Sequence, residues 1–125
     1  MKWTAALATG HPVIDEQHRE LFRLLAELEL ATAEQRTLLA VYTITRVKHH
    51  VREHFETEEL VLEHCKFPKL MEHVAEHEKF RAKMLNFQSK AVIIDVSWEM
   101  VQFLTDWLIQ HISTVDAEYI PYLKQ

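Results

Sequence analysis

Two pairs of polar residues interrupt apolar stripes at helical spacing, and they constrain this chain more than any other feature. The stretch from Val51 to Phe80 reads VREHFETEELVLEHCKFPKLMEHVAEHEKF, with His54 and Glu58 before Pro68 and His73 and His77 after it. Four residues make about one turn of α-helix, so each pair projects from one face of its own helix. Pro68 suits the first turn of a helix and disfavours helical geometry at Phe67. Two helices joined by a tight turn are therefore predicted, each carrying metal-type ligands where hydrophobes are expected.

The rest of the chain agrees with helices. One Gly and three Pro in 125 residues leave little material for the tight turns of an all-β fold. The hydrophobic fraction of 48% suffices for a core, and the length is that of one ordinary domain, 1–125. A net charge of −5 with no basic stripe argues against a nucleic-acid partner. The lone Cys65 has no internal disulfide partner, which points to a reducing compartment. No apolar run near the N-terminus is long enough for a signal peptide or a membrane span, so the cytoplasm is the expected location.

In chain order, Met1 to Val13 reads as an irregular arm that Trp3 pins to the body. The first helix is predicted from Ile14 or Asp15, with the inward set Ile14, His18, Leu21, Leu25 and Leu28. Thr32 and Gln35 fit a capping box, which places the start of the second helix there. Its inward set is Ala40, Ile44, Val47, Val51, His54, Glu58, Val61 and Cys65. The third helix follows Pro68 with Leu70, His73, His77, Phe80, Met84 and Phe87. Ser89 to Val96 is the next connection, whose Ala91-Val92-Ile93-Ile94 run resembles a strand without a partner. Asp95 or Ser97 caps the fourth helix, which turns Val101, Leu104, Leu108, His111 and Val115 inward. Short connections between four helices imply an all-α, up-down-up-down antiparallel four-helix bundle.

In such a bundle the starts of the first and third helices share an end with the finishes of the second and fourth. His18, His54, Glu58, His73, His77, His111 and Asp116 then fall at one end and face one axis. A single histidine on an apolar face is ordinarily a core residue with a satisfied hydrogen bond. Seven polar groups together are a different case. Each unpaired buried polar group costs about 1–3 kcal/mol, against a domain stability of about 5–15 kcal/mol. Metal ions offset that load by turning the groups into ligands, and a buried hydrogen-bond network is the competing account. Five imidazoles and two carboxylates exceed one tetrahedral zinc, and the set is too nitrogen-rich for calcium or magnesium. Cys65 has no second thiolate for an iron–sulfur cluster. Two octahedral ions sharing carboxylates fit the count, and imidazole suits iron.

The ordered pattern resembles the hemerythrin family, in particular its bacterial members. It consists of His18 in IDEQHRELF, His54 to Glu58 in HFETE, His73 to His77 in HVAEH, and His111 to Asp116 in HISTVD. The likeness runs from about Trp3 to Tyr122. It implies that His73, His77 and His111 cap one iron and that His18 and His54 bind the other. Glu58 and Asp116 would bridge the two ions together with a solvent-derived oxo or hydroxo group. It further implies reversible binding of dioxygen, for storage, delivery or sensing, at an open position on the second iron. Leu21, Phe55, Leu108 and Ile112 would wall that position, where other small ligands could also enter. On this reading the protein is not an enzyme, and no protein partner is identified. A peroxide- or nitric-oxide-handling di-iron enzyme and a metal-poor signalling or interaction module are the alternatives. Absence of an output region within the chain weakens a built-in sensor role.

Two further expectations concern geometry. His111 and Asp116 are five apart, which in an α-helix leaves them roughly 140° out of register. A π-type bulge is therefore predicted between them. His11, His49, His50 and His64 lie off the inward faces and are left out of the ligand set, and Cys65 is read as core. Glu56, Glu59 and Glu63 are read as a solvated face, with Glu59 pointing about 100° away from Glu58.

Overall fold

The computed structural model describes residues 2–91 and 93–124. Four helices carry the fold: α1 (Pro12–Ala33), α2 (Thr37–His64), α3 (Leu70–Ala91) and α4 (Ser97–Gln110). A short 3-10 turn, Ala5–Leu7, precedes them. A π-helical turn, His111–Val115, and a 3-10 stretch, Asp116–Lys124, follow α4. No strand occurs among the described residues, and no helix is long and apolar enough to cross a membrane.

Helix ends differ from expectation in three places, each for a local reason. α1 begins at Pro12, two residues early, because proline suits the first helical position. The ring nitrogen of His11 accepts from the Ile14 amide at 3.4 Å, so this histidine acts as the cap. Asp15 turns back instead. Its buried carboxylate accepts from the backbone and hydroxyl of Thr9, both at 2.8 Å, and fastens the arm.

The predicted start of the second helix at Thr32 is wrong. α1 runs on to Ala33, and the Thr32 hydroxyl donates back to the Leu28 carbonyl at 2.8 Å. Gln35, with φ of 56°, ends the helix. The Arg36 amide bonds to Ala31 and the Gln35 amide to Thr32, which is a Schellman closure. Lys66, with φ of 58°, closes α2 in the same way. The predicted connection from Ser89 also begins too early. Ser89 and Lys90 belong to α3, and Ile93 and Ile94 fold back onto Lys90 in a turn. Of the strand-like run, Val92 lies outside the described residues.

Left-handed backbone costs a non-glycine residue about 1–2 kcal/mol. Replacing Gln35, an exposed residue, by Gly is therefore expected to stabilise the protein by about 0.5–1 kcal/mol, after the entropy that glycine loses. A raised denaturant midpoint with unchanged slope would show it, and a lowered midpoint would refute it.

The apolar positions form two unequal clusters. The larger runs along the bundle axis from Leu21 and Phe55 to Ala31, Ala40, Val96 and Met100. The smaller joins Ile14, Leu62, Phe67 and Tyr119 at the opposite end. Cys65 packs only partly against this second cluster. Trp3 leans on the larger one, with the Arg19 guanidinium 4.6 Å from its ring. The polar inward residues fill the gap between the clusters. Each helix thus obeys its apolar period until it reaches one level of the bundle.

Candidate metal centre

All seven predicted residues meet at that level. His18 comes from early α1, His54 and Glu58 from late α2, His73 and His77 from early α3, and His111 and Asp116 from the turn after α4. Their convergence requires the antiparallel course that the sequence implied. Each of the seven is at most 3% exposed.

The expected bulge is present, since His111–Val115 is a π turn. A wider turn brings residues five apart back towards one face, which a regular α-helix does not do. The Ser113 hydroxyl donates to the Ile109 carbonyl at 2.6 Å, and Thr114 donates likewise to Gln110. These are side-chain bonds to the carbonyl four residues back, within the turn itself.

The two carboxylates divide their oxygens. Glu58 Oε1 lies 2.5 Å from His73 Nε2 and 2.9 Å from His77 Nε2. Its Oε2 lies 3.4 Å from His54 Nε2 and 3.9 Å from His18 Nε2. Asp116 Oδ1 approaches His111 Nε2 at 2.9 Å and His73 Nε2 at 3.2 Å, while Oδ2 faces His18 Nε2 at 3.3 Å. One set of donors is therefore Glu58, His73, His77 and His111, and the other is His18, His54, Glu58 and Asp116. Each carboxylate spans from a three-histidine group to a two-histidine group.

Hydrogen bonding alone does not satisfy this cluster. Buried side-chain atoms without a partner, among the described residues, are His18 Nδ1, His77 Nε2, both nitrogens of His111, both oxygens of Asp116, and Trp3 Nε1. All but the last lie in the site. His77 donates through Nδ1 to Glu59 Oε2 at 2.8 Å, an oxygen that only accepts. Its Nε2 is then a lone pair facing the Glu58 carboxylate. His54 is fixed in the same sense, its Nδ1 donating to Gln17 Oε1 at 2.8 Å. Its Nε2 lone pair faces His18 Nε2 at 3.0 Å. A lone pair aimed at a carboxylate, beside buried ring nitrogens and carboxylate oxygens that have no partner, is what a pair of cations would relieve.

The charge states agree. Burial opposes ionisation of Glu58, yet the neighbouring imidazoles hold its carboxyl well below the usual range. Burial and the Glu58 charge push Asp116 up, but His111, His18 and His73 prevail and hold it low. Burial pushes His54 down and favours its neutral, ligating form. Burial would also lower His73, but Asp116 and Glu58 outweigh it and raise it to about 10. Burial, then the negative charge of Glu58 and Asp116, pushes Tyr119 up, so its phenol stays protonated. It donates to Glu58 Oε2 at 2.9 Å.

Four contributors were missed from sequence. Tyr119 lies three beyond Asp116, and its hydroxyl returns to Glu58 only because the π turn sets its direction. Gln17 precedes His18, but its partner His54 is on another helix. Trp107 stacks on His111 with centroids 4.3 Å apart, and the four-residue spacing could have suggested it. Glu59 is a correction. It is half-buried and bonded to His77, not part of a solvated face. It does point away from Glu58, but α3 lies on that side. The remaining histidines, His49, His50 and His64, stand apart from the cluster, as expected.

The side chains expected to wall an open position are all buried. Leu21 and Leu108 line a small apolar cavity together with Trp107 and Phe80. Phe55 lies flat on His77, with centroids 3.7 Å apart. Ile112 is buried in the π turn beside His111.

Comparisons with known proteins point the same way. The family model described as "Hemerythrin HHE cation binding domain" matches residues 9–123. The bacteriohemerythrin of Stenotrophomonas maltophilia (strain R551-3) is 30% identical over 98% of this chain and 80% of its own length. A hemerythrin polypeptide of Sipunculus nudus is 31% identical over 94% of this chain and 88% of its own. A crystal structure of wild-type hemerythrin superposes with a TM-score of 0.89 at 29% identity, covering 100% of this chain and 98% of that one. The bundle that gathers the seven ligand-type residues thus has its counterpart in solved hemerythrin structures, and the chain belongs to the hemerythrin HHE cation-binding domain family.

Proposed function

We propose that this chain, as one domain over 1–125, binds dioxygen reversibly at a non-haem pair of iron ions. His73, His77 and His111 hold one ion, His18 and His54 hold the other, and Glu58 and Asp116 bridge them. The observation that carries this reading is the division of both carboxylates between the two histidine groups. A bridged ferrous pair supplies the electrons and the open coordination position that dioxygen requires. The relatives named hemerythrin and bacteriohemerythrin support the assignment.

The chain's own residues account for the rest. Gln17 and Glu59 orient His54 and His77 through their outer nitrogens. Tyr119 holds one oxygen of Glu58. Leu21, Phe55, Leu108 and Ile112 exclude water from the open side. A site rich in neutral imidazole and walled by hydrocarbon favours holding a ligand over turning it over, so binding and not catalysis is the proposed role. The half-buried free thiol of Cys65 supports a reducing compartment, the cytoplasm.

Anaerobic reconstitution with ferrous iron, followed by oxygen titration, tests the proposal. Visible bands should appear with oxygen and fade under vacuum. A chain that stays colourless, or one that rapidly oxygenates a hydrocarbon or consumes peroxide, would overturn it. The wall makes a separate prediction. Ile112→Thr admits water and a proton route to the site, so autoxidation of the oxygenated protein should speed up severalfold. An unchanged rate would remove Ile112 from the wall.

A further inference from the structure

The two histidine groups have unequal outer partners. Behind His54 stands a neutral amide, Gln17, itself tied by its nitrogen to Thr57 at 3.1 Å. Behind His77 stands a carboxylate, Glu59, whose same oxygen also faces Arg81 Nη2 at 3.5 Å. Phe55 and Glu59 are four apart on α2, and His77 and Arg81 are four apart on α3. The pairs interlock. Phe55 lies on the His77 ring at 7° between planes, and the Arg81 guanidinium sits 5.1 Å from the centre of the Phe55 ring. The Glu59 side chain is 27% exposed, so the clamp joins a fully buried ligand to the protein surface.

We infer that Glu59, steadied by Arg81, is a positioning residue that locks His77 as its Nδ1–H tautomer and gives the three-histidine subsite a stronger donor than its partner. The inference rests on the proposed metal pair but adds an inequality between its halves. A carboxylate accepting from an imidazole N–H raises the basicity of the opposite nitrogen, whereas an amide oxygen fixes direction with little added charge. The subsite formed by His73, His77 and His111 should therefore release its ion last and favour the more oxidised state.

Two measurements on the full chain test this. In metal-free protein labelled with 15N-histidine, His77 should show the Nδ1–H pattern in wild type and in Glu59→Gln, whose amide oxygen still accepts. Glu59→Ala should lose it. In ferrous protein challenged with a ferrous chelator, the slower-leaving ion should depart at least about tenfold faster from Glu59→Ala, within the range typical of lost outer partners. Glu59→Gln should fall between, with a raised midpoint potential, and Gln17→Glu should slow the faster-leaving ion.

Retention of the wild-type His77 tautomer in Glu59→Ala would overturn the inference. So would wild-type release rates for both ions in that variant, even if its melting temperature fell, because Glu59 would then be an ordinary ion-pair partner. A wild-type chain that takes up no iron overturns the proposed function instead, and the metal-free NMR result tells the two failures apart.

Discussion

Glu58→Gln is expected to abolish paired metal binding while leaving the bundle folded. The substitution is nearly isosteric, so packing around this fully buried side chain should survive. What changes is charge and lone-pair supply. Glu58 presents one oxygen to His73 and His77 and the other to His54 and His18. In glutamine one of these positions becomes an NH2 group, which cannot ligate a cation. Loss of an outer partner costs a metal site about 10–100-fold in affinity, and loss of a bridging ligand should exceed that. Iron content should fall from two per chain to one or none. Helical circular dichroism should be unchanged. Without metal the variant should also lose stability, by up to about 3–5 kcal/mol, because removing one partner of a buried ion pair leaves the His73 charge less well compensated. An amide oxygen can still accept from Tyr119, and Asp116 still faces His73, so the bundle should stay folded. Two tightly held irons in this variant would refute the bridging role.

Loading with ferrous iron should stabilise the chain more than any single substitution discussed here. A ligand that binds only the folded state contributes about 4 kcal/mol when its concentration is a thousand times its dissociation constant. For a domain of this size each kcal/mol moves the melting temperature by about 3–6 °C. A rise of more than about 10 °C is therefore expected, measured anaerobically with and without iron.

The increment should depend on pH in a defined direction. In the metal-free chain His73 is raised from 6.5 to about 10 by its carboxylate neighbours. Its contribution to metal-free stability is fully present below about pH 6.5 and is lost as pH rises through about 10. Iron needs the neutral imidazole and must displace that proton. From pH 6.5 towards 10 the metal-free chain thus weakens while iron binds more tightly, and the gap between the two melting temperatures should widen. A gap that narrows with rising pH would contradict the charge state assigned to His73.

Much of the fold and site is legible in the sequence because both rest on one device, a polar residue placed on an apolar helical face. His18, His54, Glu58, His73, His77 and His111 each break a three-four alternation, and antiparallel topology then gathers them at one level. Asp116 is off that alternation, yet the mismatch itself announces the π turn. Helix ends are less legible. Thr32 has the side chain of a cap but spends it on the preceding turn, and Gln35 adopts a left-handed geometry usually reserved for glycine. Gln17, Glu59 and Tyr119 reach groups 37, 18 and 61 residues away, and no local period encodes such distances.

The π turn makes residue number matter more than residue type. Ser113 and Thr114 are exposed, so their side chains have room to vary. Deleting either one would rotate everything beyond by about 100° about the helix axis. Asp116 would swing off its histidines, and Tyr119 would leave both Glu58 and the apolar plug it forms with Ile14, Leu62 and Phe67. A deletion in this outward-facing segment, of a kind many surface loops absorb, would here unfasten the tail of the protein and its cation clamp together.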